Sequence, residues 1–265
     1  MPDIRVGDIR LHYEEWGSGP PLLLLHGFPF SLAIWSEVAS RIGDAARVVA
    51  PDLRGHGRSD KPGGPYTMEV LAQDVLGLAD ALGLESFVLG GHSMGGYVAF
   101  RVAAHVPERL RGLVLVATRA EADTEEAKAR RRAAVERIQR EGKAGFVDEF
   151  LTGLVSDRTR TDRPQVLEQA RAVAEAVPEH VLVACLQGMR ERPDSRELLT
   201  RLHVPALVLV GGADRVIPPE AARAMAEALP RARLVTVPDA GHLPMLEAPE
   251  ATAASLRAFL EGLRA

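Results

Sequence analysis

Cysteine is nearly absent: Cys185 is the single one in 265 residues, so no disulfide can close within the chain. This points to a reducing compartment and a fold held by packing. Lysine is scarce, with only Lys61, Lys128 and Lys143, while arginine is plentiful; that preference does not discriminate function. Positive charge is not in excess, since the formal net charge is -4, whereas a nucleic-acid binder usually shows a basic face. No uninterrupted apolar span is long enough to cross a bilayer. The opening Met1-Pro2-Asp3-Ile4-Arg5-Val6 has no basic stretch followed by the apolar core of a secretory signal. The expectation is a cytoplasmic protein that engages neither nucleic acid nor membrane. Metal-ligand spacings, internal repeats and low-complexity linkers are missing as well, so no metal and no cofactor is expected.

What is present is a rhythm. Continuous apolar runs occupy 21–25, 47–50, 87–89, 113–116, 206–210 and 233–237. Such runs suit strands buried on both faces of a parallel sheet. Ahead of them, 4–6 and 9–16 alternate around Gly7-Asp8, which reads as an antiparallel hairpin at a sheet edge. Helical stretches fall between the runs at about 32–42, from Thr67 as N-cap to Gly83 as stop, from Ser93 to about 105, and at about 219–229 and 249–263. The prediction is an eight-stranded, mostly parallel sheet with helices on both faces. The rhythm breaks after residue 119. Helical patterns at 124–142, 143–154, 164–176 and 178–190 replace strands until the sheet resumes past 204. The expected organisation is a core of 1–119 and 197–265 with a helical cap, 120–196, over the strand C-terminal ends where ligands bind in open α/β sheets.

Chemistry concentrates at Ser93. It sits in Gly91-His92-Ser93-Met94-Gly95, between the apolar run 86–90 and the helical stretch 96–100. A strand-to-helix turn pushes a serine hydroxyl out of the sheet, and its crowding leaves room for little beyond hydrogen two residues to either side. The helix that follows aims free N–H groups and its positive dipole end at the same point. A serine nucleophile needs a base, and the base an orienting acid. Asp214 lies just past the run 206–210, and His242 just past 233–237, both at predicted strand ends. Oxyanion donors are expected from the N–H of Met94 and from the loop His26-Gly27-Phe28-Pro29-Phe30, where Phe28 is the choice because Pro29 has no N–H.

Blander readings stand beside these. Asp239, three positions before His242, is the alternative acid. His92 is read as packing or pocket wall, and His26 and His56 as structural hydrogen-bonders, with Asp52, Arg54 and His56 tying a loop together near the oxyanion corner. The run Lys128-Ala129-Arg130-Arg131-Arg132 has Glu126 four residues before Arg130, and Glu136 lies four before Arg140, a pattern of a solvated helix face. Cys185 reads as a buried small apolar residue.

His26-Gly27-Phe28-Pro29, Pro51-Asp52-Leu53-Arg54-Gly55-His56-Gly57-Arg58-Ser59, Gly91-His92-Ser93-Met94-Gly95-Gly96, Gly211-Gly212-Ala213-Asp214 and Gly241-His242-Leu243 together resemble the α/β-hydrolase superfamily over essentially the whole chain. The order Ser93, Asp214, His242 is that superfamily's order. Within it the chain is most similar to small capped esterases akin to 3-oxoadipate enol-lactonases, through Ser-Met-Gly-Gly at the elbow, Tyr66-Thr67-Met68, and Arg190-Glu191-Arg192-Pro193-Asp194-Ser195. Dehalogenases and epoxide hydrolases of this fold carry an aspartate where this chain has Ser93. The expected function is hydrolysis of a small carboxylic ester or lactone through an acyl-enzyme. A carbon–carbon bond hydrolase or lyase on the same triad, or a slow-turnover ligand receptor, are the alternatives. Phe30, His92, Tyr97, Phe146, Phe150, Val216 and Leu243 are the expected pocket walls, suited to an apolar, uncharged substrate of modest size. A homodimer is left open.

Overall fold

The computed structural model describes residues 2–264. One sheet runs through the molecule in the order β1-β2-β4-β3-β5-β6-β7-β8. Its strands are β1 (Asp3–Val6), β2 (Ile9–Trp16), β3 (Pro21–Leu25), β4 (Arg47–Pro51), β5 (Phe87–His92), β6 (Leu110–Val116), β7 (Ala206–Gly211) and β8 (Ala232–Val237). β1 and β2 form the antiparallel hairpin, with Val6 opposite Ile9, and β2 is antiparallel to β4. Every other pairing is parallel. Each residue of β5 and β7 is buried, so both faces of the sheet are covered, as their unbroken apolar runs require. β8 differs: at the edge of the sheet it leaves Arg233 and Thr236 exposed and Ala232, Leu234 and Val235 part-buried, with only Val237 buried.

The core helices are α1 (Ser36–Ile42), α2 (Met68–Ala81), α3 (Met94–His105), α10 (Pro219–Ala228), α11 (Pro244–Glu247) and α12 (Pro249–Gly262). α2 shows how local sequence sets its bounds. Thr67 accepts the Val70 N–H at 3.2 Å, and the buried stripe Leu71, Val75, Leu78 faces inward. At the far end Gly83 takes φ +65°, and the N–H groups of Gly83 and Leu84 close onto the carbonyls of Asp80 and Ala79. The stretch expected as one helix over 32–42 is split. Leu32–Trp35 forms a 3-10 turn capped by Ser31, and α1 begins only at Ser36.

Between β6 and β7 lies an all-helical excursion: α4 (Glu125–Glu141), α5 (Ala144–Thr152), α6 (Asp157–Asp162), α7 (Pro164–Glu175), α8 (Glu179–Arg190) and α9 (Arg196–Arg201). Two of these, α6 and α9, were not among the expected helices. α6 reads DRTRTD and has no apolar period; its Ser156 cap, whose Oγ accepts the Thr159 N–H at 3.1 Å, sets it. The two chain crossings into the excursion are laced together. Ser195 N–H donates to Ala120 O at 2.8 Å, and Arg192 donates to Glu121 O (2.9 Å) and to the Asp123 carboxylate (2.5 Å). The excursion packs over the ends of β3, β4 and β8. Phe146 and Phe150 meet Phe28, Cys185 meets His56, and Leu154–Ser156 lie against Gly241.

Candidate active site

β5 ends at His92 and α3 begins at Met94, so Ser93 alone makes the turn between them. It does so at φ 50°, ψ -113°, a strained conformation for a serine. The surroundings hold it there. Ser93 N–H donates to Val116 O (2.9 Å), while its carbonyl accepts from Thr118 Oγ1 (2.8 Å) and Gly96 N–H (2.9 Å). The flanking glycines are sterically required: a Cβ on Gly91 would lie 2.3 Å from Gly95 O, and one on Gly95 would lie 2.6 Å from Leu25 O. Those obstacles are main-chain oxygens that cannot rotate away. Gly95→Ala is therefore expected to cost about 1–3 kcal/mol or more. Gly63→Ala, where nothing lies within 4 Å, is expected to be close to neutral. Thermal denaturation of the pair checks this, and equal Tm values would contradict the crowding.

Asp214 and His242 arrive from the loops after β7 and β8. The Asp214 carboxylate is fully buried, with Oδ1 accepting the N–H groups of Val216 (2.8 Å) and Ile217 (2.9 Å). Its Oδ2 lies 2.8 Å from His242 Nδ1. An ionised carboxylate only accepts, so Nδ1 carries the hydrogen and the Nε2 lone pair is left facing Ser93 Oγ at 3.0 Å. The His242 main chain is held on both sides, its N–H donating to Leu154 O (2.7 Å) and its carbonyl accepting from His92 Nε2 (2.9 Å). Among the described residues no acceptor takes the N–H of Phe28 or of Met94. Both are free to bind an anionic oxygen beside the positive end of α3.

Three further histidines stiffen the floor, and all are fully buried. His26 donates from Nδ1 to Gly27 O (3.0 Å) and accepts the Leu53 N–H at Nε2 (2.9 Å); burial pulls its pKa down to about 4. His56 stacks edge-on against it at 4.9 Å, and burial, then repulsion from His26, brings its pKa down to about 3. Burial likewise holds His92 well below its ordinary value, with His242 adding to the effect. Asp52 joins the loops above by accepting the N–H groups of Leu32 (2.8 Å) and Arg58 (2.7 Å). Arg54 enters that tie through its main-chain carbonyl, which accepts from His56 Nδ1 (3.0 Å), while its guanidinium reaches Asp74 (2.7 Å) and Asp8 (3.1 Å).

Residues 20–249 match the family described as alpha/beta hydrolase fold. The chain belongs to that family. This alpha/beta hydrolase is 42% identical to a thermophilic esterase from Thermogutta terrifontis, solved with malate bound, with a TM-score of 0.97 and complete coverage of both chains. The enol-lactonase from Burkholderia xenovorans LB400 is 29% identical, covered over 98% of this chain and 100% of its own, with a TM-score of 0.91. The pimeloyl-(acyl-carrier protein) methyl ester esterase of Nitrosomonas europaea is 33% identical over 91% of this chain and 95% of its own. No helix among the described residues of this hydrolase is long and apolar enough to cross a membrane.

The residues expected around the pocket fall into separate places in this hydrolase. Phe28, Phe146 and Phe150 form one aromatic cluster, with ring centroids 5.5 to 6.4 Å apart. Val216 adjoins Asp214, and Leu243 adjoins His242. Phe30 is buried beside the His92 ring at 6.5 Å. Tyr97 lies under the Arg192 guanidinium at 4.2 Å, within the lacing of the two crossings and apart from the Phe28 cluster. Asp239 faces away from the histidine and pairs with Arg158 at 2.5 Å, so Asp214 is the carboxylate on His242. On α4, Arg130 pairs with Glu126 as a solvated face requires, but Arg131 turns inward to the buried Asp123 and Arg140 takes Glu141 rather than Glu136. Burial pushes the Cys185 thiol upward, as an inert packing residue. Sequence reasoning passed over Glu247 and Arg192 as structural centres. The one signal for Glu247 was a carboxylate in the apolar Leu243-Pro244-Met245-Leu246 context.

Proposed function

We propose that this chain hydrolyses small carboxylic esters or lactones through an acyl-enzyme on Ser93. The observation that carries the reading is the unbroken line from the Asp214 carboxylate through His242 to Ser93 Oγ, at 2.8 and 3.0 Å, ending on a hydroxyl held at a strained apex. Ser93 Oγ attacks the carbonyl carbon while His242 Nε2 takes its proton. Asp214 steadies the resulting imidazolium, and the N–H groups of Phe28 and Met94 bind the oxyanion. His242 returns the proton to the leaving alcohol, and water then cleaves the acyl-enzyme with the same base. In a lactone the leaving alcohol stays tethered, and the steps are otherwise identical.

The activities named for the similar esterase, enol-lactonase and methyl ester esterase support this reaction class. The Phe28, Phe146 and Phe150 cluster supports an apolar acyl or alcohol portion. In this reading residues 120–196 act as the cap that closes over it. The test is covalent capture: a fluorophosphonate is expected to add once per chain, with mass spectrometry placing the adduct on the Ser93 peptide. Hydrolysis of a panel of p-nitrophenyl esters and simple lactones is expected to stop as labelling proceeds. Full labelling elsewhere, or ester turnover that survives labelling of Ser93, would overturn the proposal.

A further inference from the structure

Glu247 ends α11 and is 2% exposed. A carboxylate is costly to bury, so its presence between Leu246 and Ala248 calls for partners. Three main-chain N–H groups supply them. Oε1 accepts from Gly241 (2.9 Å) and Leu243 (3.1 Å), the two residues that flank His242. Oε2 accepts from Ser156 (2.9 Å), which belongs to the helical excursion and caps α6. Leu154, two residues earlier, accepts the His242 N–H at 2.7 Å. The approach is close enough that a Cβ on Gly241 would lie 2.7 Å from both Leu154 O and Ser156 N. A single buried carboxylate thus ties the main chain around the base to the segment 154–156.

We propose that Glu247 is a positioning residue for ester hydrolysis. It fixes the main chain on both sides of His242, so that Nε2 stays within reach of Ser93 Oγ, and it makes that placement depend on how residues 154–156 are docked. The proposal rests on the roles given to Ser93 and His242 above. Buried hydrogen bonds to a charged group are expensive to lose, and a misplacement of about 1 Å at a catalytic group costs roughly 10²-fold in rate. Glu247→Gln keeps the size but cannot keep all three bonds. With its amide oxygen toward Gly241 and Leu243, its NH₂ opposes the Ser156 N–H; flipped, the NH₂ opposes the two N–H groups beside His242. Ser156→Pro approaches the same link from the other side. It deletes the N–H at a residue whose φ of -65° is the value proline takes, and with it the Oγ that caps α6, so Ser156→Ala, which loses the cap but keeps the N–H, is its reference.

The experiment uses the full chain and p-nitrophenyl acetate. Competent sites are counted by fluorophosphonate labelling run to completion, and kcat is expressed per labelled site for wild type, Glu247→Gln, Ser156→Pro and Ser156→Ala. Glu247→Gln is expected to lower kcat per site about 10- to 100-fold with KM within about threefold. Ser156→Pro is expected to move kcat per site in the same direction by about threefold or more relative to Ser156→Ala. A merely structural role would lower the number of labelled sites and leave each surviving site at full speed, and that result overturns the proposal. If Glu247→Gln does not fold, Ser156→Pro decides against its reference, and kcat per site within about twofold of Ser156→Ala overturns it. A wild type that neither labels at Ser93 nor turns over ester brings down the hydrolase reading itself. A working wild type with undiminished variants brings down only the role of Glu247.

Discussion

Ser93→Ala is expected to lower kcat on small p-nitrophenyl esters by roughly 10⁴- to 10⁶-fold, with KM changed only a few-fold. Without Oγ no acyl-enzyme forms, and His242 has no proton to take from a bound nucleophile. What remains is the binding of the ester and the oxyanion donors, which support a small residual rate over water. The variant is a clean one. Alanine keeps the Cβ at φ 50°, so the backbone strain of the elbow persists, and the deleted atom belongs to a residue that is only part-buried. Stability is therefore expected to stay within about 1 kcal/mol of wild type. Steady-state kinetics beside thermal denaturation separates the two. Retention of more than about a tenth of the rate, with chemistry limiting, would remove Ser93 from the nucleophile role.

A second large effect is expected in acid. His26 and His56 are fully buried with pKa values brought down to about 4 and about 3, against about 6.5 for an exposed histidine. Between those values the unfolded chain binds protons that the folded chain refuses, so stability falls as pH falls. Their contribution is complete above about pH 6.5 and drains away below it. At pH 5 each histidine has lost about 2 kcal/mol, at roughly 1.36 kcal/mol per unit over about 1.5 units. His92 pulls in the same direction. Asp52 and Asp74, raised by burial, oppose the trend but do so nearer the carboxylate range. The combined loss of about 4 kcal/mol from His26 and His56 should lower Tm by roughly 10 °C between pH 7.5 and 5. A Tm that holds level over that interval would show that these imidazoles are not held neutral. His56→Gln, which cannot take up a proton, should flatten the curve.

Much of this arrangement was legible because it depends on neighbours in sequence. The runs 21–25, 87–89 and 206–210 read as strands buried on both faces, and they are. The glycines around Ser93 marked a tight turn, and strand ends placed Asp214 and His242 on one side of the sheet. The unread parts depend on partners far along the chain. Glu247 gains its meaning from Ser156, 91 positions away, and no local pattern announces that a main-chain N–H will be waiting there. Arg131 looked like one more solvated cation until Asp123 was found buried beneath it. α6 has no apolar face to reveal it, only the serine that caps it. The split of 32–42 turns on whether the first turn winds at three or four residues, a difference that apolar spacing over a single turn does not resolve.

The bond between Ala120 and Ser195 bears on how such an enzyme could diversify. To the sheet, everything beyond that bond is a ring already closed. Enlarging or trimming the ring changes the entropy of closure only logarithmically, about 0.6 kcal/mol per doubling of length. On the proposed reading, the helices of this ring can therefore be rebuilt to admit a different molecule while Ser93, Asp214 and His242 keep their spacing, provided one carboxylate on the sheet side still finds an amide to hold.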